Sequence, residues 1–204
     1  DSIIEVLNDP LRLPDADNTP TAFMGSEIGH LAIAAPQTPN TSNFLLTPMA
    51  PYEQRSPLGN LAAWLRFPAK VPASVILAGF RTPVGVGRMG DGSEIFGTLV
   101  ALNVAGVRSI LISSWAVGGN STAILLKEFL QELPFIGMDE AWQRAKLVLL
   151  GTDLDPAGEP LLTQAEHERE GLTGKQPLFW SGYLISAPPK EAPAKAAAPA
   201  AANN

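Results

Sequence analysis

The side chains that could do covalent or metal chemistry are few. There are no cysteines, so no thiolate nucleophile, thiolate metal site or disulfide can form. Histidine occurs twice, at His30 and His167. His30 sits in the apolar run Gly29-His30-Leu31-Ala32-Ile33, where a strand-end imidazole bonded to backbone is expected. His167 lies in Glu166-His167-Glu168-Arg169-Glu170, a charged, solvated turn where a metal would need further ligands. No metal centre and no cofactor is expected from either. Ser113 and Ser114 close an apolar run, and Asp91 lies in a preceding loop. No Gly-x-Ser-x-Gly elbow accompanies them. Gly85-Val86-Gly87-Arg88-Met89-Gly90 spells a dinucleotide-loop pattern. The loop is long, however, and Arg108 stands in the region where an acidic ribose ligand would be needed. It reads as a flexible loop.

Elements positioning these residues follow from hydrophobic patterning. Ile28–Ala35 is a short apolar run stopped by Pro36, and Ser74–Ala78 and Val107–Ser113 are similar runs. All three predict buried strands. Phe44–Leu46 is expected as a short edge strand, and Trp180–Ile185 as a last strand. Helical spacing predicts helices over Leu58–Leu65, Glu94–Asn103 and Met138–Leu150. A further helix is capped by Asn120, Ser121 or Thr122 and ends near Leu133, before Pro134. Gly106 is placed to end the second helix as a C′ residue. Strands that alternate with helices and are apolar on both faces imply a mostly parallel sheet with helices on each side. Sites in such sheets form at the carboxyl ends of the strands. Here those ends are Ala34–Ala35, Gly79–Thr82 and Ser113–Gly119. Residues 1–27 read as an extended arm, 28–186 as one α/β domain, and 187–204 as a disordered Ala/Pro-rich tail.

The series of segments resembles the C-terminal half of the CHAT domain, a relative of caspases, separases and gingipains. Gly29-His30-Leu31-Ala32-Ile33-Ala34-Ala35 is similar to that family's His strand. Val75-Ile76-Leu77-Ala78-Gly79-Phe80-Arg81-Thr82 is similar to its Cys strand. Leu102 to Gly119, with Ser113-Ser114-Trp115-Ala116-Val117, resembles the next strand and turn. Glu140-Ala141-Trp142-Gln143-Arg144-Ala145 and Gln176-Pro177-Leu178-Phe179-Trp180-Ser181-Gly182-Tyr183-Leu184 resemble the closing helix and strand.

The resemblance implies a caspase-like three-layer α/β/α fold. It also implies that the family's general-base His falls on Ala34 and its nucleophilic Cys on Phe80. Neither side chain can activate or supply a nucleophile, so a cysteine peptidase is not expected. The family has roughly 100 further residues before its His strand. Here only residues 1–27 precede it, so the N-terminal strands are expected to be missing or supplied by another chain, since an exposed apolar edge strand invites pairing.

Bulk composition fits this reading. The chain has 204 residues, 46% hydrophobic and 17% charged, enough for one core. Its net charge of −6 and scattered Lys and Arg do not suggest a nucleic-acid partner. No run reaches the ~18 apolar residues of a membrane span. The absent Cys, the Ala/Pro tail and the non-Met first residue lean towards a bacterial cell envelope or extracytoplasmic setting. Expected is a pseudoprotease acting as an interaction or scaffolding subunit, with a partner polypeptide completing the sheet. Two alternatives stand beside it. One is a hydrolase using His30 with Ser114 or another hydroxyl. The other is a small-ligand sensor in a strand-end pocket drawn from His30, Phe80, Arg81, Ser114 and Trp115.

Overall fold

The computed structural model describes residues 28–34, 43–46, 60–66, 70–80, 92–115, 118–159, 162 and 171–188. The expected arm over 1–27 lies outside them, as does the tail beyond 188. Among the described residues the strands are β1 (His30–Ile33), β2 (Ser74–Leu77), β3 (Ser109–Ser113) and β4 (Tyr183–Ser186). They form one sheet in the order β1-β2-β3-β4. β1, β2 and β3 run parallel, with Ile33 beside Leu77 and Leu77 beside Ile112. β4 closes the sheet antiparallel to β3, pairing Tyr183 with Ser113.

Helices cover both faces, giving the three layers expected. α1 (Leu61–Arg66) and α2 (Ser93–Ala105) follow β1 and β2 in the chain. Leu61, Ile95 and Leu102 from them pack with Leu31, Ile33, Val75, Leu77, Ile110 and Ile112 of the sheet. α3 (Gly119–Glu132) and α4 (Met138–Leu150) lie between β3 and β4. Their Leu125, Phe129, Trp142, Ala145 and Leu149 pack with Ile76 and Leu111 on the opposite face. The alternation along β2 and β3 follows from the two-residue period of a strand. The central strands are apolar throughout because both of their faces are covered. Phe129, Trp142 and Tyr183 stack in sequence, with ring centroids 5.8 Å and 4.9 Å apart. Edge-on and tilted contacts of this kind add to burial.

Local chemistry explains where elements start and stop. Gly106 has φ 107° and its N–H donates to the Asn103 and Leu102 carbonyls. The Val107 N–H also donates to Leu102 (3.0 Å), which makes the Schellman ending expected of Gly106. α1 begins one turn later than its spacing suggested, because the Asn60 side chain accepts from the Ala63 N–H (2.9 Å) and caps it there.

Three expectations are corrected. Phe44–Leu46 is a 3-10 turn and not an edge strand. The Asn43 side chain accepts from the Leu45 N–H (3.1 Å) and its carbonyl accepts from the Leu46 N–H (3.0 Å), so local bonds displace sheet pairing. The last strand begins at Tyr183, not Trp180. Pro177 opens a 3-10 turn, and the Trp180 and Ser181 N–H groups donate back to the Pro177 carbonyl. α3 starts at Gly119 with Gly118 at its N-cap, so Asn120, Ser121 and Thr122 lie inside it. Among the described residues no helix is long and apolar enough to cross a membrane.

Candidate functional site

The carboxyl ends of β1, β2 and β3 meet at one edge of the sheet. The Ala78 N–H donates to the Ile33 carbonyl (2.9 Å), which places Ala34 beside the exit of β2. Ala34 is exposed. From β2 the chain continues through Ala78 and Gly79 to Phe80, whose side chain is 0% exposed. Phe80 packs with Leu31, Ile33, Leu77 and Ile112. Expected at the wall of a pocket, its ring is instead core and offers no surface to a ligand.

Ser113 fixes this exit. It is fully buried at the end of β3. Its hydroxyl faces the carbonyls of Leu77 (3.3 Å), Ala78 (2.9 Å) and Phe80. One proton is shared among three acceptors, so the oxygen is committed to holding backbone. The next residue, Ser114, is half-buried, and its N–H donates to the Gly182 carbonyl (2.6 Å). Trp115 follows and is 39% exposed. Its indole lies against Gly182 so closely that a Cβ there would fall 2.4 Å from the ring. Gly182 is therefore needed for close approach.

His30 is not part of this edge. It pairs with Ser74, which pairs with Ser109, at the opposite end of the sheet. Ser114 lies five residues beyond Ser109, about 16 Å at roughly 3.3 Å per residue. No hydrogen bond spans that separation, so the fold does not bring His30 and Ser114 together. The backbone bond expected of His30 is also missing at Nδ1, which is buried with no hydrogen-bond partner. Burial pushes its pKa below the usual imidazole value. Arg81, Asp91, the 85–90 glycine loop and His167 lie outside the described residues.

Sequence reasoning missed two buried carboxylates. Glu159 is 0% exposed. It accepts from the Ser121 N–H (2.7 Å) and from the Ser121 hydroxyl (2.6 Å). It thus satisfies a free N–H in the first turn of α3 from 38 residues downstream, where the helix dipole also favours an anion. Glu94 is buried in the first turn of α2, with Oε1 unpartnered. Neither had a sequence signal beyond its charge. Burial pushes the Tyr183 hydroxyl up to about 12. The Thr122 hydroxyl offsets part of that shift, but Tyr183 Oη has no partner at hydrogen-bond geometry.

Among the described residues no cluster of His, Asp or Glu could hold a metal ion, and the strand-end edge carries hydroxyls and an indole but no imidazole. The family model for the CHAT domain matches residues 28–188. No curated protein matches the chain, and no solved structure does.

Proposed function

The chain belongs to the CHAT domain family, and from that premise we propose that it is a catalytically silent member that serves as an interaction or scaffolding subunit of a larger assembly. The observation that carries this reading is Phe80. By the likeness of the two strands, Phe80 stands where the family's nucleophilic Cys falls and Ala34 where its general-base His falls. The Phe80 ring fills core and its carbonyl is held by Ser113, so the position serves packing. A thiol–imidazole pair cannot arise from Ala34 and Phe80. The strand register argues equally against a Ser114–His30 substitute.

A partner is best placed at the outer edge of β1. Among the described residues β1 pairs on one side only, with β2. Leu31 and Ile33 already point into the core, so an added strand would extend a formed apolar face by backbone pairing. Native mass spectrometry of the protein purified from its source tests this. A complex with a second polypeptide that slows amide exchange across His30–Ala34 is expected. A chain free of any other polypeptide, with rapid exchange there, would overturn the proposal.

A further inference from the structure

We propose that Glu94, at the carboxyl edge of the sheet, is a binding site for a guanidinium group, presented by an arginine side chain of a partner polypeptide. The polypeptide source rests on the interaction reading above, whereas the site itself rests on Glu94 alone.

The fold fixes where Glu94 lies. The Arg108 and Ser109 N–H groups donate to the Ala73 carbonyl (3.0 and 3.1 Å), so α2 ends beside the amino end of β2. Its 13 residues rise about 20 Å, more than the roughly 13 Å spanned by the four residues of β2. The first turn of α2 therefore reaches the edge where β1, β2 and β3 end. Ser93 is exposed there. Glu94, next in the chain, turns inward and is only 5% exposed. It shares the buried side of α2 with Ile95, Thr98 and Leu102.

The carboxylate is left incomplete. Thr98, one turn on, donates to the Glu94 carbonyl (2.7 Å) and is satisfied. Glu94 Oε1 is buried with no hydrogen-bond partner. Glu159, also buried, has both oxygens engaged by Ser121. An open carboxylate oxygen away from water is costly, and such a cost is characteristically kept where it serves a site.

The chemistry selects the occupant. The amino-terminal dipole of α2 favours negative charge at Glu94, so the complementary group is a cationic donor. Guanidinium is hydrated more weakly than ammonium and gives up less on entering a buried site. The net charge of −6 draws cations to the molecule.

Chemical-shift titration with N-acetyl-arginine amide, its neutral citrulline counterpart and agmatine tests the assignment. The arginine amide is expected to bind at least about tenfold more tightly than the citrulline compound. Glu94→Gln should abolish that preference while keeping the circular dichroism and urea midpoint of the parent. Equal binding of the two amides, or a preference that survives Glu94→Gln, would overturn the site. So would a large fall in the urea midpoint of ligand-free Glu94→Gln, which would make the carboxylate part of the fold. A preference that emerges only in an Arg81→Gln/Arg88→Gln variant would place the chain's own arginine there and would also overturn it. Agmatine bound more tightly than the arginine amide would overturn the polypeptide source. Amide exchange at β1 reads the interaction proposal separately, so either can fail alone.

Discussion

The hydroxyl of Ser113 donates to the main-chain carbonyl of Phe80, 33 residues earlier in the chain. Bonds to Ala78 and Leu77 accompany it. The end of β3 therefore sets the path of the chain as it leaves β2. Ser113→Ala should destabilise the fold by about 1–3 kcal/mol, the cost of leaving buried acceptors unmet. Chemical denaturation measures it, and amide exchange at Phe80 should rise. Unchanged stability would show that the clamp contributes nothing.

Replacing Phe80 tests its packing role. Phe80→Ala should cost about 3–5 kcal/mol, as for other fully buried aromatic truncations. Thermal or urea unfolding reads it, and a loss below about 1 kcal/mol would mean the ring is not core.

Gly182→Ala forces a Cβ into the Trp115 indole. Overpacking of this kind costs about 1–3 kcal/mol. The displaced, partly exposed indole should also change tryptophan emission relative to the parent protein. Unaltered emission and stability together would contradict the close contact.

Glu159→Ala removes the carboxylate that meets the Ser121 N–H and hydroxyl. The expected loss is about 1–3 kcal/mol, with faster amide exchange in the first turn of α3. Exchange at the distant end of α3 should be unaffected.

Two groups should shape stability against pH. The folded-state pKa of Tyr183 is raised to about 12 from 10.0. The folded protein therefore holds this proton more tightly than the unfolded chain. That stabilisation is complete below pH 10 and is lost between about 10 and 12, amounting to roughly 2–3 kcal/mol. Tyr183→Phe should flatten this alkaline limb. For His30 the folded pKa is lowered, so its contribution is present above the unfolded value near 6.5 and lost as pH falls through the folded one. His30→Ala should reduce the acid-side slope.

The central strands were legible because both faces are covered, so Ser74–Leu77 and Ser109–Ser113 read as unbroken apolar runs. Met138–Leu150 followed from the spacing of Trp142, Ala145 and Leu149, which are all buried. Gly106 was legible because a left-handed C′ position favours glycine. The Asn43 turn and the Pro177 turn were not, since local side-chain and backbone bonds outweighed apolar character at Phe44–Leu46 and Trp180. Tertiary pairings left no trace at all. Nothing local in the sequence ties Glu159 to Ser121 or Gly182 to Trp115. The separation of His30 from Ser114 needed the strand register, which a chain of single segments does not contain.

The most direct measurement is mass-spectrometric analysis of a broad peptide library incubated with the purified protein, alongside a Ser114→Ala variant. No cleavage above buffer is expected from either, because Phe80 and Ala34 supply no nucleophile or base and His30 is out of reach. Cleavage at defined sites by the parent protein that is absent from the Ser114→Ala variant would contradict the silent-domain reading.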